Sequence, residues 1–192
     1  MKKALMIASI LVVAVISTAC INNIAVQELN NKASEFMQKG DYESAMNRLQ
    51  ASLDLDSTIY ETHYNLGVAA INAKKYEIAI NALEDGIKLK PDYADFYYSL
   101  AIAQIGMAED IIEDADVEEE ATADTENGKI EVSSEIKAED KEKAIELRKS
   151  AIENLKKYIE MTPNSKDMEN VQEMIKQSEE FVNGDTKAEV KE

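Results

Sequence analysis

Residues 60–93 read YETHYNLGVAAINAKKYEIAINALEDGIKLKPDY. Leu66, Ala70 and Ala73 fall at helical spacing and Lys74-Lys75 make a polar break. Ile78, Ala79, Ala82, Leu83 and Ile87 then resume the spacing until Pro91 stops it. This predicts two helices joined by a short turn. The pattern recurs at a period of 34 residues. Tyr42, Glu43, Ala45, Leu49 and Leu55 stand where Tyr76, Glu77, Ala79, Leu83 and Leu89 stand. Tyr64, Leu66, Ala69 and Ile71 recur as Tyr98, Leu100, Ala103 and Ile105, and the small residues Ala33, Gly67 and Ala101 share one register. Gly67 and Ala79 are expected where the helices of one hairpin come close, because a larger side chain would push them apart. One hairpin cannot bury its own apolar face, so a period of this length predicts a stack of hairpins.

The composition agrees. Of 192 residues, 6 are Gly and 2 are Pro. Eight turn formers are too few for the many tight connections of an all-β sandwich or barrel, and the abundance of Ala, Leu, Ile, Glu and Lys favours long helices. The 45% apolar content is enough for a packed core. The net charge of −17 repels nucleic-acid phosphate, so no nucleic-acid partner is expected. With one His and one Cys, a zinc site of His and Cys ligands or an internal disulfide cannot form within one chain.

Residues 26–107 resemble tetratricopeptide (TPR) repeats. The unit from Tyr60 to Tyr93 carries the Leu66-Gly67 pair, then Tyr76, Ala79, Leu83 and Pro91. The unit at about 26–59 carries Gly40-Asp41-Tyr42, Ala45 and Leu49, with Ser57 where the closing Pro is common. A third unit, 94–163, starts with Leu100-Ala101 and finds its second helix late, at Ala151, Leu155 and Pro163. The resemblance implies an all-α TPR solenoid of antiparallel helix pairs. A one-sided helix over about 165–182, with Met168, Val171, Ile175 and Val182 in one stripe, is expected to cap the array. Asn164-Ser165 would begin it, Asn183-Gly184 would end it, and 183–192 would be a flexible tail.

The third unit is interrupted. Ile105 to Ala151 spans 46 positions where Ile71 to Ala79 spans 8, so about 38 residues are inserted. The i, i+3/i+4 stripe Leu100, Gln104, Met107, Ile111, Ala115 runs into the insertion, and Ala144, Leu147, Ala151 runs out of it. A lengthened helical hairpin with an irregular tip over about 116–134 is expected. The acidic insertion at about 109–142 holds 15 acidic and 3 basic residues. It suits a solvated loop, a dock for a basic partner, or a calcium loop at Asp114, Asp116 and Glu118, although Glu119 and Thr125 do not fit the last.

The N-terminus has its own logic. Lys2 and Lys3 precede an apolar stretch from Ala4 to Ile16, followed by Ser17-Thr18-Ala19-Cys20. This is the layout of a signal peptide over 1–19, and the stretch is short against the roughly 20 residues of a membrane span. Its end resembles the lipobox of bacterial lipoproteins, with Ser17 departing from the usual aliphatic residue. That resemblance implies lipid attachment (palmitate among the acyl chains) at Cys20, a short linker over 20–25, and an extracytoplasmic protein anchored to a bacterial membrane. In a diderm cell this would be the outer membrane, facing the periplasm. An uncleaved anchor and ordinary secretion stay open.

No catalytic motif is present: no phosphate-binding Gly loop, no Gly-x-Ser-x-Gly, no metal-binding His pair. No enzyme activity, metal or cofactor is therefore expected, and His63 is read as a packing residue. What the TPR resemblance implies is a scaffold that binds a protein or peptide on its concave side. The candidate groove residues are Asn30, Ser34, Tyr64, Asn65, Val68, Ile71, Tyr98, Ser99 and Ile102. Tyr64 and Tyr98 are open to a second reading, as packing between repeats. Only Asn65 fits the Lys, Arg and Asn set with which some TPR domains grip an acidic C-terminal tail, so a partner of apolar and basic character is expected. The alternative function is a solute-binding or transport-accessory lipoprotein with a small apolar pocket between repeats. Self-association through an uncovered array end is a further expectation.

Overall fold

The computed structural model describes residues 23–122 and 134–189. Every regular element among them is a helix: α1 (23–38), α2 (Tyr42–Leu55), α3 (Tyr60–Asn72), α4 (Tyr76–Leu89), α5 (Ala94–Thr122), α6 (Ser134–Met161) and α7 (Met168–Glu189). Each helix from α2 on packs against the next, and α3 also touches α5. This is the all-α solenoid expected from the period. Odd-numbered helices form one layer and even-numbered helices the other.

The repeat is built from small residues on small residues. Ala33, Ala45, Leu49, Leu66, Ala69 and Ala82 form the first buried cluster, and Ala70, Ala79, Leu83, Phe96, Leu100 and Ala103 the second. Ala101, Ala151, Leu155, Tyr158 and Val171 form the third. Alanine at these contacts lets helix axes approach. The close approach expected at Gly67 is real, since a Cβ there would lie 2.5 Å from Leu83 Cγ.

The turns within the first two hairpins are also copies. Gly40 and Lys74, 34 positions apart, both have positive φ, at 75° and 55°. After α1, Gly40 N–H bonds Met37 O and Asp41 N–H bonds Phe36 O, both at 3.0 Å; after α3, Lys74 N–H bonds Ile71 O and Lys75 N–H bonds Ala70 O. These are Schellman closures, in which a left-handed residue turns the chain. Asp41 then caps α2 by accepting Ser44 N–H at 3.1 Å. A side chain strains the left-handed region by about 1 kcal/mol. Lys74→Gly is therefore expected to raise stability by about 0.5–1 kcal/mol, and Gly40→Ala to lower it by a similar amount, as read by urea unfolding. Open space around Gly40 leaves backbone strain as the whole cause.

Several boundaries differ from expectation. Residues 23–25 are already helical, so the linker placed over 20–25 is shorter. Helix α5 continues to Thr122 and α6 starts at Ser134, so the irregular tip placed at 116–134 begins later; 123–133 lie outside the described residues. The Ala- and Glu-rich run after Ala115 suits a helix, and Asp114, Asp116 and Glu118 ride on its backbone rather than on a turning loop. Ser165 does not cap α7. It accepts Asp167 N–H in the turn before it, and the helix starts at Met168. Gly184 does not end α7 either, because one helical Gly costs only about 1 kcal/mol; the tail placed at 183–192 is helical through Glu189.

Helix α7 closes the array. Val171 and Ser178 are buried, while its exposed residues up to 184, such as Glu169, Glu173, Lys176 and Glu180, are polar apart from Gly184. Arg148 of α6 ties the end together. Its Nη2 donates to Glu109 Oε1 of α5 at 2.8 Å, Nη1 reaches Ser178 Oγ of α7 at 3.5 Å, and its guanidinium lies 5.1 Å from the Phe181 ring centroid. Among the described residues no helix is long and apolar enough to cross a membrane. The apolar stretch 4–16 and Cys20 lie outside those residues.

Candidate partner-binding surface

The odd-numbered helices touch in a fixed register. Thr62 Oγ1 of α3 donates to Asn30 Oδ1 of α1 at 3.2 Å. Tyr64 of α3 packs edge-to-face on Phe96 of α5, with ring centroids 5.6 Å apart. Ala101 of α5 and Val171 of α7 share the third buried cluster, with Tyr98 and Met174 packed against it. Asp167, beside α7, sits 72 positions after Asp95, which is 38 more than the period and matches the length of the insertion. Helix α7 is thus the first helix of a fourth unit as well as a cap. The four helices α1, α3, α5 and α7 make one continuous wall.

Rows of equivalent residues run across this wall. One holds Gln27, Glu61, Asp95 and Asp167, all exposed. Another holds Asn30, Tyr64, Tyr98 and Asn170, and a third Ser34, Val68, Ile102 and Met174. The wall is acidic at the start of its helices and apolar further along.

The candidate groove residues fall into different roles. Val68 and Ile102 are half-buried on the wall. Ser34 is exposed and accepts a long bond from Gln38 Nε2 at 3.5 Å. Asn65 is half-buried and lines two adjoining hollows of about 580 and 330 Å³ between α1 and α3. Asn30 also lines both, but its polar atoms are largely engaged: Nδ2 donates to Val26 O at 3.0 Å and Ser52 Oγ at 2.8 Å, and Oδ1 accepts from Thr62. Ile71 leans onto the second core cluster. Ser99 is only 6% exposed, so it does not look outward as expected.

Ring contacts show the packing reading of Tyr64 and Tyr98. Tyr64 meets Tyr93 at 5.4 Å and Phe96 at 5.6 Å, nearly perpendicular to each, and Tyr98 meets Tyr158 at 5.2 Å. Each is nevertheless half-exposed. Burial is the first cause that raises both hydroxyl pKa values.

The sequence reading missed Tyr60 and Tyr93, which complete an aromatic group with Tyr64 and Phe96. Burial, then a hydrogen bond to Asp95, pushes the Tyr93 hydroxyl up to about 12. It also missed Asp167 and Asn170. The signal was present, but only once the insertion is subtracted from the register.

The hollows between α1 and α3 are lined by Asn23, Gln27, Asn30, Asn31, Glu61 and Asn65 among others. That lining is amide-rich, which argues against an apolar ligand pocket at this place. Also on α3, His63 is 7% exposed and its Nε2 lies 2.9 Å from Ser57 O, so this nitrogen carries the proton and the ring holds the α2–α3 turn. Among the described residues no three of His, Cys, Asp and Glu converge to hold a metal ion.

Residues 33–70 match a family described as TPR repeat, and residues 60–93 one described as tetratricopeptide repeat. No curated protein matches the sequence. Among solved structures, the first TPR of Spaghetti (RPAP3), bound to the HSP90 peptide SRMEEVD, has a TM-score of 0.56 at 16% identity and covers 80% of this chain and 91% of its own. The first TPR domain of human RPAP3 has 0.53 at 14%, covering 80% and 94%. The TPR2B domain of yeast Sti1, from its complex with pHsp70, has 0.53 at 15%, covering 82% and 98%. At these identities the likeness is one of fold. The chain thus contains tetratricopeptide repeats within residues 33–93 and folds as a TPR-type α-solenoid.

Proposed function

We propose that this protein is a membrane-anchored TPR scaffold that binds a protein or peptide partner on its concave wall and catalyses nothing. The observation that carries the reading is the continuous wall of α1, α3, α5 and α7, with half-exposed Val68, Ile102 and Met174 in one row. Apolar side chains left half-exposed in a row are a surface that a partner can cover. Two structural neighbours are complexes, the first TPR of Spaghetti (RPAP3) with the HSP90 peptide SRMEEVD and TPR2B of yeast Sti1 with pHsp70. The amide of Asn65 and the hydroxyl of Ser34 suit the backbone groups of a bound peptide.

The anchor is part of the proposal. Cys20 is acylated after removal of residues 1–19, and the protein faces away from the cytoplasm on a bacterial membrane. Two or three acyl chains give stable attachment, at about 0.8 kcal/mol for each buried CH₂. Cys20→Ala is expected to release the protein from washed membranes or leave it unprocessed.

The test of binding is crosslinked capture from native membranes with four baits. They are the intact protein, Val68→Lys with Ile102→Lys, a form lacking residues 116–134, and Glu84→Gln with Glu153→Gln on the opposite layer. The expected result is a protein captured by the intact bait and by the opposite-layer bait, and lost by at least about tenfold with the wall bait. Both wall residues are half-exposed and outside the buried clusters, so their substitution is expected to leave folding within about 1 kcal/mol. Loss only with the deleted insertion would overturn the wall as the working surface.

A further inference from the structure

Four large apolar side chains are exposed among the described residues: Ile24 at 66%, Leu55 at 41%, Ile78 at 43% and Leu89 at 42%. Singly, such residues are ordinary. Three of these four, however, share one edge of the stack. Leu55 and Leu89 are the last residues of α2 and α4, one repeat apart, and Ile24 is in the first turn of α1. Antiparallel pairing puts the starts of odd-numbered helices beside the ends of even-numbered ones, and the contacts agree. Asn30 Nδ2 of α1 donates to Ser52 Oγ of α2 at 2.8 Å, and Asn23, Gln27 and Ile59 line one hollow. The ring of Tyr60, which starts α3, lies 5.7 Å from that of Tyr93, just before α5. The charges around Leu89 cancel, since Lys88 pairs with Asp85 at 2.8 Å and Lys90 with Asp92 at 3.0 Å.

The opposite edge is the acidic one. Helix α5 leaves the first edge at Ala94 and runs 29 residues to Thr122, about 43 Å. From Glu109 to Thr122 it holds eight acidic residues and no basic one. What covers the apolar edge follows from where the chain enters it. Asn23, the first residue of α1, lies on this edge, three positions after Cys20. Even fully extended, those positions reach only about 11 Å. Acyl chains on Cys20 would therefore bring this edge, rather than the acidic one, to the lipid.

Resting on the proposed acylation of Cys20, we infer that this edge is a lipid-contacting surface. Ile24, Leu55 and Leu89 enter the headgroup boundary of the bilayer and set the stack upright on it. Aliphatic side chains on the polar rim of a tethered protein are stabilised there by burial of apolar area. With its lysines already paired, the edge suits neutral headgroups and gains nothing from anionic lipid. The acidic end of α5 then points away from the membrane. The rows of the binding wall run parallel to the bilayer, with Val68 about 12 Å along α3 from its start.

The test uses the mature chain, residues 20–192, with the Cys20 thiol coupled to a maleimide-headgroup lipid in phosphatidylcholine vesicles. Cys20 is the single thiol of the chain, so the link forms at one place. The chemical link stands in for acylation, which the fractionation of Cys20→Ala reads separately. Benzoylphenylalanine is placed singly at Leu55 and Leu89, and at Lys39 and Lys75 in the turns of the opposite edge. Lipid adducts are measured by mass spectrometry after irradiation. The expected result is at least about fivefold more adduct at 55 and 89 than at 39 and 75. With the probe moved to exposed Ser57, in the α2–α3 turn, Leu55→Asn with Leu89→Asn should lower the adduct at least about threefold. Ile78→Asn, which removes an equally exposed apolar residue from the opposite edge, should change it by less than about 1.5-fold. Thermal melts confirm that each variant is folded. Equal adducts at the two edges, or a Ser57 adduct that the two asparagines leave unchanged, would overturn the inference, because the chain would then hang on its tether with no apolar seat.

Discussion

Phe96→Ala is expected to cost about 3–5 kcal/mol, the range for deleting a fully buried aromatic ring. Phe96 is 0% exposed and is the largest of the fully buried side chains. It sits where two repeats meet, with Tyr60, Tyr64 and Tyr93 around it at 5.4–6.4 Å. It fits because Gly86 of α4 has no side chain; a Cβ there would run into the Phe96 ring. A loss of that size lowers the midpoint of thermal unfolding by about 6–20 °C in a chain of this length, and it is a large part of a typical 5–15 kcal/mol. Gly86→Ala alone should cost about 1–3 kcal/mol by overpacking. The two changes together should cost less than their sum, because the added methyl enters the space the ring vacates. Calorimetry and urea unfolding of the two single variants and the double read this directly. Strict additivity would mean that the two residues do not share a site.

Arg148→Ala is expected to have the second largest effect, about 2–3 kcal/mol, and a local one. The arginine side chain is only 11% exposed, whereas Glu109 is 63% exposed, so the ion pair itself is well screened and worth little. What the arginine contributes is its stem and its seat on Phe181, together with the bond to buried Ser178. Arg148→Met, which keeps most of the stem, should therefore cost about 1 kcal/mol or less, and Glu109→Gln about half a kcal/mol. Because neighbouring repeats stabilise one another pairwise, the damage should stay at the C-terminal end. Hydrogen exchange should show amides of α7 losing protection while those of α2 to α4 keep theirs. Equal loss along the whole chain would contradict the quasi-one-dimensional reading of this fold.

The helices and their pairing were readable because they rest on local rules. Apolar spacing, Lys74-Lys75 and Pro91 each speak for their own neighbourhood, and the period multiplies them. The binding wall was readable only in part. Equivalence under a shift of 34 says that Asn65 and Ser99 occupy one row; it does not say that Ser99 is buried while Asn65 borders an open hollow. Asn30 shows the same limit. It reads as a free amide, yet Ser52 and Thr62 arrive from two other helices and take its side chain. The fourth unit was hidden by the insertion, which breaks the register just where Asp167 and Asn170 would otherwise repeat Asp95 and Tyr98. Gly184 misled for an energetic reason: one unfavourable residue is too weak a signal to stop a helix already held by Val171 and Ser178.

The layout of the wall gives the proposed function its physical content. Rigid stacked helices hold the half-exposed apolar row and the acidic row at fixed separation, so a partner pays little reorganisation of this surface on binding.

The most direct test of the binding wall is photocrosslinking in cells, with benzoylphenylalanine placed singly at Val68, Ile102, Glu84 and Glu153. The account predicts that Val68 and Ile102, on the wall, give the same protein adduct and that Glu84 and Glu153, on the opposite layer, do not. Adducts confined to Glu84 and Glu153 would contradict it.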